Sequence, residues 1–195
     1  MIKAGQKKNI FCLEGLWEED LRKPTTVQPM LELLFKCYGV KYIYRDCATK
    51  EEFMFYIDEW TKKRYEKYPI LYLGFHGEEE KIQLAGWEEL TLEEIANRLK
   101  EYCNNRIIIF ASCSTLDTDN KTLKRFLETT GALAICGYRS DVDWLKSTAF
   151  ELLLMEAMQN NEFSGRGIGA ITDRFEYLKK QFKDLEFQYL TIKDL

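Results

Sequence analysis

Residues 69–77 read Pro-Ile-Leu-Tyr-Leu-Gly-Phe-His-Gly, a nearly unbroken apolar run that ends at a histidine and a glycine. Its apolar part, residues 70–75, does not alternate with polar side chains, which is typical of a strand buried on both faces of a parallel sheet. A second run of this kind, residues 106–110, follows after a short hairpin and a helical segment. Two such strands predict an α/β fold.

Strand and helix patterns alternate on either side of these two runs. Two helices begin at capping boxes, Thr49 with Glu52 and Thr91 with Glu94. The whole chain, residues 1–195, is predicted to form one domain with a mostly parallel sheet of about six strands, right-handed crossovers and helices on both faces. The other strands are predicted at residues 9–17, 40–47, 132–138 and 187–192, and the helices at residues 27–37, 49–64, 91–103, up to 130, 144–158 and 175–182.

Composition excludes several classes of partner. The 195 residues include 46% apolar side chains, enough for one core, and 28 basic against 32 acidic residues give a net charge of -4. This balance argues against a general nucleic-acid or anionic-membrane binder, which needs clustered positive charge. The longest apolar runs are five residues, whereas a membrane-spanning helix needs about 20. Residues 1–9 lack the features of a signal peptide, so we expect a cytoplasmic protein.

Cysteine and histidine usage limits the chemistry further. Most of the six cysteines lie in or beside apolar segments, where a reduced thiol behaves as a small hydrophobic side chain. No two cysteines have Cys-x-x-Cys spacing and His76 is the only histidine, which argues against structural zinc, and no cofactor is expected. Any mechanism that uses an imidazole must use His76.

His76 and Cys113 each follow one of the two buried strands. In an open parallel sheet the ligand crevice lies beyond the carboxyl ends of the strands, and neighbouring strands are about 4.8 Å apart. A thiol and an imidazole at that edge suit a nucleophile and its proton carrier. The backbone N–H groups of Gly77 and Cys113 are candidate oxyanion donors. The alternative is a surface histidine and a core cysteine without a catalytic role.

These residues carry a resemblance to a known superfamily. An apolar strand ending in Gly-Phe-His-Gly, residues 74–77, and another ending in Ala-Ser-Cys-Ser-Thr, residues 111–115, resemble the pattern of caspase-like cysteine peptidases. That superfamily includes caspases, metacaspases, legumain, separase and bacterial CHAT proteins. The resemblance implies a caspase-like three-layer sandwich, a His76–Cys113 dyad, an oxyanion hole from Gly77 and Cys113, and hydrolysis of protein or peptide bonds without metal or cofactor. It also implies a regulatory protein partner and a role in bacterial defence or cell death.

The chain departs from the caspase pattern at two points. The Gln-Ala-Cys form is absent, and the 37 positions between His76 and Cys113 are fewer than the roughly 50 of caspases. Many relatives that cleave after basic residues have an acidic residue two positions before the cysteine, where this chain has Ala111. Asp141 and Asp143 are candidates for binding a basic side chain. Alternatively, either aspartate is the N-cap of the helix that follows.

The rim of the groove has further candidates. Residues 137–144 are placed like the segment that lines the substrate groove of these peptidases, and Trp17, after the first strand, is a candidate groove residue. A rim aromatic side chain without a role is the alternative for Trp17. Residues 165–169, Gly-Arg-Gly-Ile-Gly, lack the strand before and the Lys-Ser/Thr after that a phosphate loop needs, and we interpret them as a flexible connector.

Two other classes of function remain open at this point. A non-catalytic interaction module with a caspase-like fold predicts an unreactive Cys113. A flavodoxin-like binder predicts a nucleotide or flavin at the strand ends, but the sequence has no phosphate loop to hold it.

Overall fold

The computed structural model describes residues 5–195 and has nine strands there. The strands are β1 Ile10–Glu14, β2 Tyr42–Asp46, β3 Ile70–Gly74, β4 His76–Glu78, β5 Lys81–Gln83, β6 Glu89–Thr91, β7 Ile107–Ala111, β8 Ala134–Tyr138 and β9 Phe187–Thr191. Six of them form one sheet in the order β2-β1-β3-β7-β8-β9. All neighbours in this sheet are parallel except β8 and β9, which are antiparallel. The first four residues of the segment considered for a signal peptide lie outside the described residues.

Helices cover both faces of this sheet and bury two separate apolar clusters. The helices are α1 Gln28–Tyr38, α2 Lys50–Thr61, α3 Leu92–Arg98, α4 Asn120–Thr130, α5 Trp144–Ala157 and α6 Ile168–Gln181. One cluster joins α1, α5 and α6 to one sheet face, and the other joins α2, α3 and α4 to the opposite face. The predicted α/β architecture with a mostly parallel six-stranded sheet is therefore confirmed.

Local signals set most helix ends correctly. Both predicted capping boxes are present, with Thr49 and Thr91 each accepting from the backbone N–H three residues on. The prediction for the last helix was wrong at its start, because α6 begins at Ile168 and not at residue 175. Ile168 and Ile171 are buried in the core, and this burial outweighs the poor helix propensity of the glycines beside them.

The predicted hairpin after β3 is a separate three-stranded antiparallel sheet, β4-β5-β6. His76 is the first residue of β4, so only the buried Phe75 separates it from the main sheet. The charged side chains of this segment suit a sheet at the rim, where they remain hydrated.

The thiols differ in burial. Cys12, Cys47, Cys103 and Cys136 are buried, which confirms the prediction for most of the cysteines, whereas Cys37 is exposed. Cys37 lies on α1 among Lys36 and Tyr38, on the side that the sheet does not cover. None of the helices within residues 5–195 combines the length and apolar composition needed to span a membrane.

Candidate active site

The register of the parallel sheet brings His76 and Cys113 to one edge. Gly74, the last residue of β3, pairs with Ala111, the last residue of β7. His76 and Cys113 each lie two positions beyond that pair, at the carboxyl ends of neighbouring strands. The imidazole is exposed and the thiol is partly buried, so both side chains are accessible from solvent.

Gly77 is in direct contact with the loop that carries Cys113. A Cβ at this position would lie 2.2 Å from Thr115 Oγ1 and 2.5 Å from the carbonyl oxygen of Cys113, closer than atoms can pack. Only glycine therefore allows β4 to pack against the loop after β7. The space beside Gly77 is thus filled by the chain itself.

The hairpin geometry leaves the Gly77 N–H outside the ladder with β5. Glu78 and Lys81 flank a two-residue turn and must be the hydrogen-bonded pair that closes it. Because pair types alternate along an antiparallel ladder, Gly77 and Ile82 form a non-hydrogen-bonded pair. The Gly77 N–H is thus directed away from β5, as an oxyanion donor requires.

His76 is held by the segment that follows β1. Its Nε2 lies 2.9 Å from the backbone carbonyl oxygen of Trp17, and the two rings meet edge to face with centroids 5.3 Å apart. A carbonyl oxygen only accepts hydrogen bonds, so Nε2 is the donor. In the neutral imidazole the proton therefore sits on Nε2, and Nδ1 is free to accept another.

Trp17 is in turn positioned by Glu14, a buried carboxylate at the end of β1. The indole N–H donates to Glu14 Oε1 at 2.5 Å, and the N–H of Val27 donates to the same oxygen at 2.7 Å. The hydroxyls of Thr26 and Tyr44 donate to Oε2. Sequence reasoning missed Glu14 as a site residue, although a charged residue ending an apolar strand was the available signal.

Cys113 lies in a mixed electrostatic environment. Burial raises the pKa of its thiol, the carboxylate of Asp141 raises it further, and the backbone N–H groups of Val142 and of Cys113 itself lower it. The balance keeps the sulfur protonated at neutral pH. Within residues 5–195, the imidazole of His76 makes a hydrogen bond to the Trp17 carbonyl and none to Cys113.

The loop after Cys113 is strained and tied to the loop after β8. Ser114 has φ of 56°, a left-handed conformation that is uncommon for a residue with a Cβ. Its N–H donates to the carbonyl of Ser140 and its hydroxyl to Asp141 Oδ1 at 3.1 Å. These bonds fix the direction in which the chain leaves Cys113.

The two candidate aspartates have structural partners. Asp143 is the N-cap of α5 and accepts from the N–H of Lys146 at 2.9 Å, which confirms the alternative interpretation for this residue. Asp141 accepts from Ser114 and lies near the Cys113 thiol. Both carboxylates are exposed. Their binding of a basic side chain stays a prediction.

Trp17 lines three of the spaces at this edge of the sheet. Two are open clefts of about 480 Å³ and 510 Å³ that His76 also lines. The third is a narrow cavity of about 50 Å³ that Cys113 and Trp144 also line. The assignment of Trp17 as a groove residue stays a prediction. The indoles of Trp17 and Trp144 meet edge to face at 4.6 Å.

Glu151 is the second site residue that sequence reasoning missed. It lines the cavity beside Cys113, is only 4% exposed, and accepts from the hydroxyls of Tyr72 at 2.5 Å and Tyr138 at 2.8 Å. Burial raises its pKa to about 7, although both tyrosine hydrogen bonds oppose the rise. A glutamate on the core-facing side of an apolar helix was the available signal.

Among residues 5–195, no group of three or more His, Cys, Asp or Glu side chains is arranged to hold a metal ion.

Fold and site together define an α/β protein with a three-layer architecture and a thiol and an imidazole at the carboxyl edge of its sheet. Residues 7–189 match the family described as "Family of unknown function (DUF6642)", and the chain belongs to that family. A comparison with curated proteins gives no match.

Proposed function

We propose that this protein is a caspase-like cysteine peptidase that uses a Cys113–His76 dyad to hydrolyse peptide bonds. The observation that carries the proposal is the register of β3 and β7, which sets His76 and Cys113 two residues beyond one paired position. The three-layer α/β architecture supports it, because the resemblance implies a sandwich of this kind.

The protonation states suggest a general-base mechanism. The raised pKa of the Cys113 thiol means that the sulfur must lose its proton during attack, and Nδ1 of His76 is the free acceptor. As Sγ bonds to the peptide carbonyl carbon, its proton passes to Nδ1. The hydrogen bond from Nε2 to the Trp17 carbonyl then stabilises the imidazolium.

The remaining steps use the same groups. The carbonyl oxygen becomes an oxyanion that accepts from the N–H groups of Gly77 and Cys113. The imidazolium donates its proton to the leaving amine as the C–N bond breaks, leaving a thioester on Cys113. Water, deprotonated by His76, attacks this thioester, and the thiol leaves with the proton that His76 returns.

The dyad is tested with Cys113→Ala and His76→Ala, using Cys37→Ala as a control that removes an exposed thiol elsewhere. We expect both site variants to abolish cleavage of a peptide library and labelling by a peptidyl electrophile, whereas Cys37→Ala retains both. Undiminished cleavage in either site variant would remove the dyad.

A second candidate function is a catalytically inactive caspase-like interaction module. It is favoured by one observation, the protonated Cys113 thiol without a hydrogen bond to His76. This alternative predicts that a peptidyl electrophile labels Cys113 no faster than it labels the exposed Cys37, and that the chain cleaves no peptide. Comparing the two labelling rates by peptide mass mapping separates the two functions.

The cellular setting follows from the resemblance alone. A cytoplasmic peptidase with a protein substrate and a regulatory protein partner, acting in bacterial defence or cell death, is the corresponding proposal. Cleavage of endogenous proteins on expression of the intact chain, absent with Cys113→Ala, is the observation expected from it.

A further inference from the structure

We propose that the cavity lined by Cys113 and Glu151 recognises a basic side chain on the substrate residue whose carbonyl is attacked. Glu151 binds the cation of that side chain, and lysine is preferred over arginine. This inference rests on the proposed peptidase function and names its substrate class. It assigns recognition to a residue on α5 and not to the exposed aspartates before that helix.

The first argument is the position of the two residues in one narrow space. Both line the same cavity, in which Cys113 is partly exposed and Glu151 is buried. A side chain that enters past Cys113 therefore reaches Glu151 with its tip. In a substrate attacked at Cys113, the side chain nearest the sulfur belongs to the residue on the amino side of the scissile bond.

The second argument is that Glu151 has no cationic partner. Its two hydrogen bonds come from the neutral hydroxyls of Tyr72 and Tyr138, and no ion pair in residues 5–195 includes it. A carboxylate has about four lone-pair sites, so two tyrosine donors leave room for more. A buried carboxylate is strongly destabilised unless a cation pairs with it, and a substrate ammonium supplies that cation.

The third argument is the nature of the walls. Trp17, Tyr72, Tyr138 and Trp144 all line the cavity. Aromatic faces attract cations and pack against the methylene groups of a lysine stem. An acidic or amide side chain would meet the carboxylate with a like charge or with a weaker hydrogen bond.

The small size of the cavity favours lysine over arginine. A volume of about 50 Å³ holds roughly four water molecules. An unbranched chain of four carbons and one nitrogen fits such a space, whereas the planar guanidinium of arginine is wider and longer.

The first experiment measures kcat/KM for peptides that differ only at the residue before the scissile bond: lysine, arginine, norleucine, glutamine and aspartate. We expect the order lysine, arginine, norleucine, with aspartate last. Glu151→Gln should lower kcat/KM for the lysine peptide by roughly 10- to 100-fold and leave the norleucine peptide little changed. The matched control is Glu156→Gln, a carboxylate on the same helix that pairs with Arg174 outside the cavity.

The second experiment does not depend on peptidase activity. n-Butylammonium, which mimics a lysine side chain, is expected to slow iodoacetamide alkylation of Cys113 in the wild-type chain, whereas n-butanol is not. The protection should disappear in Glu151→Gln and persist in Glu156→Gln. Circular dichroism and near-ultraviolet spectra establish that each variant is folded.

The outcomes separate this inference from the proposed function. Peptide cleavage without preference for basic residues, or with a preference that Glu151→Gln retains, overturns the inference and leaves the peptidase. Protection of Cys113 by n-butylammonium in a chain that cleaves no peptide supports the cation site and overturns the peptidase. Equal protection by n-butanol and n-butylammonium overturns the cation site. If Glu151→Gln does not fold, the substrate order and the protection of the wild-type chain decide the question.

Discussion

Nε2 of His76 lies 2.9 Å from the backbone carbonyl oxygen of Trp17, so the imidazole is oriented by a segment 59 positions away along the chain. Trp17 is itself held by the buried carboxylate of Glu14 at the end of β1. The buried carboxylate of Glu14 therefore positions Trp17, and the backbone carbonyl of Trp17 orients the imidazole of the candidate base His76.

Glu14→Ala is expected to destabilise the fold strongly. The change removes the acceptor of the indole N–H of Trp17, the backbone N–H of Val27 and the hydroxyl of Thr26, whereas Tyr44 keeps Asp46 as an acceptor. The loss of one buried and two partly buried hydrogen bonds together should lower the free energy of unfolding by about 3 kcal/mol. Urea unfolding measures this loss. Glu18→Ala, which removes only a surface ion pair with Lys23, should change it by less than about 1 kcal/mol.

Gly77→Ala is expected to abolish peptide cleavage while both Cys113 and His76 remain. The added methyl group would overlap Thr115 Oγ1 and the Cys113 carbonyl oxygen, and must push β4 away from the loop after β7. Overpacking of this kind costs about 1–3 kcal/mol, so the variant should still fold. Full activity in a folded Gly77→Ala chain would contradict the packing described here.

Gly165→Ala is the matched control for that experiment. Its added methyl group would meet only Ile192 at 3.5 Å, an ordinary contact, and its φ is not positive. We expect wild-type cleavage and a free energy of unfolding within about 0.5 kcal/mol of the wild-type value.

Alkylation of Cys113 by iodoacetamide should accelerate as pH rises and still be rising at pH 9. Burial raises the pKa of this thiol above 9.0, so the reactive thiolate is a minor form at neutral pH. The measurement uses Cys37→Ser, which removes the exposed thiol. His76→Ala should leave the pH profile unchanged, because no hydrogen bond joins the two side chains at rest. A rate that is already constant between pH 6 and 9 would instead indicate a preformed thiolate–imidazolium pair.

Glu151 should make the fold less stable as pH rises from about 4.5 to about 7. Its pKa is about 7 in the folded chain against an ordinary 4.5, so the folded state keeps a proton that the unfolded state releases in this window. This difference in pKa corresponds to a loss of about 3 kcal/mol in the free energy of unfolding across the window. Burial also raises the pKa values of the neighbouring Tyr72, Tyr138, Cys12 and Cys136, which therefore stay uncharged.

Urea unfolding of the wild-type chain and Glu151→Gln at several pH values checks this prediction. The wild-type chain should lose stability relative to Glu151→Gln between pH 5 and pH 8, by up to about 3 kcal/mol. A constant difference between the two chains over that range would show that Glu151 has an ordinary pKa.

Local composition was enough to predict most of the architecture. The burial of β3 and β7 on both faces is visible in the sequence because a strand without polar alternation has no face to turn to water. The capping boxes at Thr49 and Thr91 are likewise local, since the cap and its partner are three residues apart. The prediction that His76 and Cys113 lie at the same edge of the sheet follows from these elements.

The start of α6 shows where local signals fail. Glycines at positions 167 and 169 lower helix propensity, and the burial that outweighs them comes from contacts with the rest of the apolar cluster.

The sequence alone therefore specified the strand and helix order and the two residues most suited to nucleophilic chemistry, because both are encoded within short segments. Only the folded chain brought Trp17 to His76, which is 59 positions away, and Glu151 to Tyr72, which is 79 positions away. The reason is physical: a buried carboxylate is tolerated only where donors from distant segments meet it, and those meetings exist only once the helices pack on the sheet.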